Sequence, residues 1–515
     1  MSELPRIVVT GASGFIGRHL LDALKDSYRI IGMARRSQAD SGAPVHPNIS
    51  WFQVDIGDQE HLAAVFRQVV DGGGADLVIH LAAHYDFTGE EHPEYLRTNV
   101  NGLRNVLDYC CTILRPKHFV FASSVAACGY PRPGTALTEA SLPDGEHIYS
   151  VTKRIGEKMV GEYGRYFRAT IVRFAALFSD WCEYAPLFFF LGAWLSPAWN
   201  ARILGGKGLS AIPYLHIREV GRFFRTLLDH LGQLTPGEVV IASPDGAVNH
   251  LALYEAATLC YYGYRRRPLL MPKLLCGPGM WARDLAGMVT GERPFERPWM
   301  ARHIDMALTV DASRTRQRLS WSPVPRLHIV RRLPFLIENF KTDPLEWNKR
   351  NRAALKQVRV RAFLVIHTLL ERHETEIREE FTERMLGPEG RERFPSYQDF
   401  SHDEHQWHHR LVLQRLMDAV RTREKGVLMT YCRDLAEHRL SQGVPVEELC
   451  GVLQTLHDVC IEVLRRDPEA AGLEAAMHDY ITTTVQFGID QVQEVYEQSV
   501  EEPGGEEGTQ GSGPP

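Results

Sequence analysis

The sequence predicts a doubly wound parallel α/β domain followed by an all-α helical bundle. Three observations carry this. Short β-branched runs alternate with helical stretches over roughly the first 175 residues. A glycine-rich turn joins the first strand run to the first helical run. Beyond about residue 345 strand signals almost vanish, while apolar residues keep recurring at three- and four-residue spacing. Strands that alternate with helices form parallel sheets covered on both faces. Such strands read as nearly continuous apolar segments.

The strand runs, in order, are "RIVVT", "YRIIGMA", "ISWFQVD", "ADLVIHLAA", "KHFVFASS" and "ATIVRFAAL". From about 176 to 335 the alternation loosens. One more strand is expected at "GEVVIAS", and "LTVDASRTRQRLSWSPVP" reads as a closing helix and turn. The expected domain therefore spans 1–335, with a main part to about 175 and a smaller part mainly over 176–335. Composition changes after "PFLIENFKTDPLEW", and residues 345–499 are expected to form the bundle. There "RAALKQVRVRAFLVIHTLLERHETEIREEFTERML" reads as one long helix. Breakers at "GPEG", "SQGVP" and "RDPEAAG" separate it from further helices. Residues 500–515, acidic and rich in Gly and Pro, are expected to be disordered.

A chain of 515 residues needs more than one domain. Its net charge of −6 leaves no basic footprint, so nucleic acid is not an expected partner. Nine scattered cysteines without a C-x-x-C pair suit a reducing compartment, and a cytoplasmic location is expected. The most apolar stretch, "APLFFFLGAWLSPAW", is shorter than the roughly 20 residues a membrane span needs. Pro186 and Pro197 bracket it. It reads as a buried or pocket-lining helix, with a greasy channel or a membrane-touching lid as the alternative. No integral membrane segment is expected.

"GASGFIG" places Gly11, Gly14 and Gly17 between a strand and a helix. Glycines there allow a tight turn and close approach of backbone to a pyrophosphate. The helix N-terminus adds free N–H groups and partial positive charge. At the end of the second strand, "GMARRS" puts Arg35 and Arg36 where an acid would bind the ribose hydroxyls of NAD. Guanidinium groups suit a 2′-phosphate, so NADP(H) is favoured over NAD(H).

"FVFASSVAACG" ends a strand at Ser123 and Ser124, and "YSVTK" follows with Tyr149 and Lys153. Their i, i+4 spacing puts phenol and ammonium on one helix face. A phenol is a poor base at neutral pH. A neighbouring ammonium favours phenolate, so Tyr149 can give or take a hydroxyl proton while hydride moves.

With "HLAA" and "NVNG" falling in order between them, these motifs resemble the extended short-chain dehydrogenase/reductase family, in its epimerase/dehydratase group, over residues 1 to about 330. The resemblance implies a Rossmann sheet with a small substrate-binding part. It implies catalysis by Ser124, Tyr149 and Lys153. It implies cofactor contacts at Gly11, Ser13, Gly14, Phe15, Ile16, Gly17, Arg35, Arg36, Asp55, Ile56, Leu81, Ala82, Ala83, Asn99 and Lys153. Asn99 falls where the family supports the active-site backbone.

Departures narrow the substrate. Cys128, not a tyrosine, precedes Gly129. "RFAALFSDWCEY" keeps Arg173 but lacks the Pro, Asn and Tyr-Gly typical of sugar-nucleotide members. Val125 and Ala126 follow Ser124 where a dehydratase carries acids. "IPYLHIREV" resembles the return segment of steroid-type and flavonol-type reductases. The expected activity is NADP(H)-dependent hydride transfer at an alcohol or ketone of a largely apolar small molecule. A sugar-nucleotide epimerase and a redox-sensing signalling protein are the alternatives.

In the bundle, "YCRDLAEHRLSQGVPVEELCGVLQTLHDVCIEVL" resembles the helical sensor domains of RsbR-type stress regulators, which implies a signalling partner. A dimerisation bundle is the alternative, and a homodimer is expected. His402, His405, His408 and His409 crowd "SHDEHQWHHR", but H-E-x-x-H is lacking. The segment reads as a solvated helix start, and no metal is expected.

Overall fold

The computed structural model of the protein describes residues 4–87, 89–290, 294–351, 362–398 and 400–501. The chain divides into two compact units, residues 1–358 and 359–515.

Seven strands form the main sheet of the first unit. They are β1 (Arg6–Thr10), β2 (Arg29–Ala34), β3 (Ile49–Gln53), β4 (Leu77–His80), β5 (His118–Ser124), β6 (Arg168–Phe174) and β7 (Glu238–Ala242). Each expected strand run supplies one. Their order is β7-β6-β5-β4-β1-β2-β3, and every pairing is parallel. Period two is visible in β1. Ile7 and Val9 join the core on one face, and Val8 joins the core on the other. Helix α1 (Phe15–Leu24) covers the first face with Leu20, Leu21 and Leu24, and α2 (Gln59–Asp71) covers the second with Leu62, Val65 and Phe66. Strand order reverses between β1 and β4. In such sheets the ligand crevice lies beyond the carboxyl ends of the strands at that reversal.

Three further helices follow in the first unit. Helix α3 (Ile148–Tyr163) follows β5, α4 (Ala185–Trp194) is the aromatic stretch, and α5 (Ile217–His230) packs its Val220, Phe223 and Phe224 into the core that holds α1. In α4, Leu187, Leu191 and Trp194 are buried. The apolar run is thus a packed ten-residue helix. Among the described residues no helix is long and apolar enough to cross a membrane.

Helices α6 (Lys273–Thr290) and α7 (Ile329–Thr342) follow later in this unit. The first compact unit, 1–358, extends beyond residue 335. Ile329, Leu333, Leu336 and Ile337 of α7 share a core with Phe178, Tyr214 and Leu253, and Trp347 joins them.

The second unit is helical: α8 (Ala362–Arg372), α9 (Glu374–Leu386), α10 (His402–Thr422), α11 (Gly426–Ser441), α12 (Val446–Arg466) and α13 (Thr483–Glu501). The single long helix expected over 352–386 is corrected to two in its described part. The break is at His373, whose ring bonds Glu376 Oε2 (2.8 Å) and Asp467 Oδ2 (3.0 Å). The start of α10 is capped by Ser401 and Glu404, as its acids foretell. The solvated reading of that segment fails for His405 and His409, both buried against the aromatic core. The side chain of His402 and the tail from 502 lie outside the described residues. All nine cysteines are free.

Candidate active site

The turn after β1 is shaped by two glycines. Gly11 has φ 72°, and a Cβ there would lie 2.6 Å from the Ala82 nitrogen. A Cβ on Gly17 would lie 2.5 Å from the carbonyl oxygens of Gly11 and Ala12. No other residue type fits either place without moving backbone. Gly14 caps α1, and its N–H donates to the Gly11 carbonyl (2.9 Å). The first intrahelical bond comes from the Arg18 N–H. That leaves the amides of Phe15, Ile16 and Gly17 at the helix mouth, where no acid stands in the first turn. This donor set suits a pyrophosphate.

The two arginines after β2 differ in placement. Arg36 Nη2 donates to the Ser13 carbonyl (2.5 Å), which sets its charge against the turn. Burial, then Arg18 and Arg35, lower its pKa. Arg35 instead donates to Glu94 Oε2 (3.1 Å). Arg97 joins Glu94 (2.8 Å) to Asp55 (2.7 Å), and Asp55 Oδ1 also accepts from the Gly57 N–H (2.8 Å). Ile56 is buried, and its carbonyl accepts from Asn105 Nδ2 (2.9 Å).

Beyond β4, the Leu81 N–H donates to the Thr10 carbonyl (3.1 Å), which brings Leu81, Ala82 and Ala83 alongside the glycine turn. His80 is buried and bonded to Thr10 Oγ1 (2.9 Å); burial holds its pKa down at about 3. Asn99 clamps the next residue from both sides. Its Oδ1 accepts from the His84 N–H (2.6 Å), and its Nδ2 donates to the His84 carbonyl (3.0 Å) and to Thr152 Oγ1 of α3 (3.1 Å).

Ser124, Tyr149 and Lys153 come together at the end of β5 and the start of α3. His147 caps α3 through the Tyr149 N–H (3.2 Å). Ser124 Oγ accepts from the Ala126 N–H (3.1 Å), and its hydroxyl acts on the nearby Tyr149 phenol. Lys153 Nζ donates to the Ala122 carbonyl (2.6 Å) and lies 5.7 Å from the Tyr149 ring centroid. Burial pushes the Tyr149 phenol well up, and the Ser124 hydrogen bond opposes it. From the sequence the Lys153 ammonium is expected to favour phenolate; in the structure burial is the largest influence on the phenol and raises its pKa. Burial lowers Lys153 to about 8, against the pull of Glu157. Glu157 in turn accepts from Arg173 through both oxygens (2.9 and 2.7 Å) and from Ser123 Oγ (2.6 Å). Arg173 is therefore spent in a buried pair that ties β6 to α3.

Sequence reasoning missed the wall above these groups. The Tyr85 ring stacks on Tyr149 at 4.2 Å and 21°, and Phe87 packs on Tyr85 at 3.8 Å. Tyr184 meets Phe87 edge-on at 5.7 Å, and Trp299 lies 4.8 Å from His147. The usable signal was "HYDF", directly after "HLAA". Among the described residues no group of three or more His, Cys, Asp or Glu is placed to hold a metal ion.

A parallel sheet reversed at β1 and β4, with a pyrophosphate turn and a Tyr-x-x-x-Lys helix, defines a dinucleotide-binding domain of the extended dehydrogenase/reductase type. Residues 7–242 match the model of the NAD dependent epimerase/dehydratase family. Residues 379–510 match the RsbT co-antagonist protein rsbRD N-terminal domain. UDP-glucuronate 4-epimerase 4 of Arabidopsis thaliana is 25% identical over 236 residues, 43% of this chain and 51% of that protein. The 3 beta-hydroxysteroid dehydrogenase/Delta 5→4-isomerase of monkeypox virus is 28% identical over 160 residues, 30% of this chain and 44% of that protein. The chain thus spans about half the length of the curated relatives it matches. A UDP-glucose 4-epimerase structure from Thermotoga maritima, with UDP-glucose, has a TM-score of 0.50 at 19% identity, covering 65% of this chain and 98% of its own. A mutant UDP-glucuronic acid 4-epimerase from Bacillus cereus, in complex with a fluorinated UDP-sugar and NAD, gives 0.50 at 18%, covering 65% and 99%. At these identities the likeness is one of fold.

Proposed function

We propose that the first unit is an NADP(H)-dependent oxidoreductase acting on an alcohol or ketone carbon of a largely apolar substrate. The observation that carries this is the meeting of Ser124, Tyr149 and Lys153 beneath an aromatic wall, at the strand ends where the pyrophosphate turn also lies. The turn amides and Arg36 would hold the dinucleotide, which supplies or accepts the hydride when bound. Ser124 holds the substrate oxygen. Tyr149, kept protonated at neutral pH by burial, gives its proton to that oxygen as a ketone becomes an alcohol; oxidation reverses the transfer. Lys153, still an ammonium at neutral pH, stabilises the phenolate left behind. Tyr85, Phe87 and Tyr184 offer ring faces to an apolar substrate.

A second reading has specific support. The Arabidopsis and Bacillus relatives are UDP-sugar epimerases, and the same three residues serve an oxidation followed by a reduction. The second unit is then a sensor or dimerising module, which the RsbT co-antagonist match supports. A turnover screen separates the readings. Apolar ketones and alcohols are offered beside UDP-sugars, with NADPH and NADH each followed at their absorbance band. Net NADPH consumption with a ketone is expected. Sugar interconversion without net cofactor change would overturn the reductase reading in favour of epimerase. Dinucleotide binding with no turnover at all would leave the sensor reading.

A further inference from the structure

Helix α6 presents the wrong face to water. Leu274, Trp281, Leu285 and Met288 follow at spacings that put them on one stripe. They are exposed by 89, 61, 47 and 54%. The strand before the helix adds Leu269 and Leu270, exposed by 55 and 49%. Single exposed apolar residues are ordinary, but a contiguous patch of this kind marks an interaction surface. The helix is not a misplaced core element, since Cys276 and Asp284 on it are buried.

Charge identifies what the patch meets. Between Tyr261 and Met288 the chain carries Arg265, Arg266, Arg267, Lys273 and Arg283, with Asp284 as the one acid. Asp284 is committed to Arg297 (2.7 Å), and Arg283 lies 3.6 Å from Glu296. Among the described residues no carboxylate pairs with Arg265, Arg266, Arg267 or Lys273. Lys273 Nζ reaches only the Ile304 carbonyl (2.8 Å), and Arg266 bonds the Tyr262 hydroxyl (3.0 Å). An apolar stripe with a tryptophan, bordered by uncompensated cations, has the composition of a helix that lies in a membrane surface. We infer that α6 and the Arg265–Arg267 run dock the first unit on an anionic lipid bilayer, in its plane and without spanning it. The membrane-touching segment is then α6, in place of the packed α4 stretch that the sequence offered. The chain beyond α6 leads to Trp299, beside the His147 cap of α3. Docking thus falls on the segment that borders the catalytic cleft, whatever substrate that cleft takes.

The test is co-sedimentation of the full chain with phosphatidylcholine vesicles, with and without about one third phosphatidylglycerol. Binding to the anionic vesicles is expected to exceed binding to the neutral ones by roughly several hundredfold, about fivefold for each of the four cations, and to fall in high salt. Arg265→Gln with Arg267→Gln should weaken it roughly thirtyfold, since each cation near such a surface contributes about fivefold. Leu274→Ser with Trp281→Ser should abolish it; both side chains face outward, and an unchanged far-ultraviolet spectrum verifies the fold. Failure of the wild-type chain to bind anionic vesicles would overturn the inference. So would equal binding to both vesicle types. A third contrary result is an oligomer that the Leu274/Trp281 pair dissolves with no lipid dependence, which would make the stripe a contact between copies of this chain.

Discussion

The two ends of the crevice are built differently. At the phosphate end the geometry belongs to the backbone: a left-handed Gly11, a Gly17 pressed on two carbonyls, and three amides at the mouth of α1. At the other end it belongs to side chains drawn from separate segments, with Tyr85, Tyr149 and Tyr184 in ring contact or through Phe87. A backbone site tolerates almost no substitution and says little about what lies beyond the phosphates. A side-chain site is tolerant of change and is where substrate choice resides.

The largest effect that would break this contrast is at the proton. Tyr149→Phe should lower turnover by about 10²–10⁴-fold, while NADPH binding, read by fluorescence, stays intact. Equal turnover by the variant would remove Tyr149 from the chemistry. Gly11→Ala comes next. A methyl group there meets the Ala82 backbone in a left-handed conformation, a strain of about 1–3 kcal/mol. Dinucleotide affinity and melting temperature should fall together.

The pH dependence follows. Lys153 is depressed to about 8, so its ammonium persists below that pH and is lost above it. If that ammonium supports Tyr149, turnover should fall as pH rises through about 8. Lys153→Arg should move the limb beyond the measured range. Between the arginines, Arg36→Ala should cut the NADPH-over-NADH preference by roughly tenfold, the scale of a charge-assisted pair. Arg35→Ala should change it less, because Glu94 already holds that guanidinium. The smallest effect is expected at the wall. Tyr85→Leu should raise KM for an apolar substrate by a few fold, in keeping with about 0.5–1.5 kcal/mol for an aromatic pair.

What was legible beforehand follows the same division. "GASGFIG" and Tyr149–Lys153 are local patterns, set by a turn and by one helical period, and each is placed as its spacing requires. The seven strands were legible because burial on both faces leaves unbroken apolar runs. Arg35 and Arg36 look alike in sequence; the approach of Glu94, 59 residues away, to Arg35 and the Ser13 carbonyl's hold on Arg36 separate them. Tyr184 and Trp299 reach the crevice through tertiary packing that no local period records. α7 buries its apolar face beside Phe178, a tertiary contact that local composition does not record. His405 and His409 looked solvated beside Asp403 and Glu404, but α10 turns one face to the core and the other to water.

The Tyr85–Tyr149 stack has one more consequence. Two phenol rings 4.2 Å apart and 21° from parallel couple their electronic transitions. The protein therefore carries an optical marker at Tyr149. The near-ultraviolet circular dichroism should hold a tyrosine couplet that disappears in Tyr85→Leu, and a substrate that slides between the rings should erase it without any label.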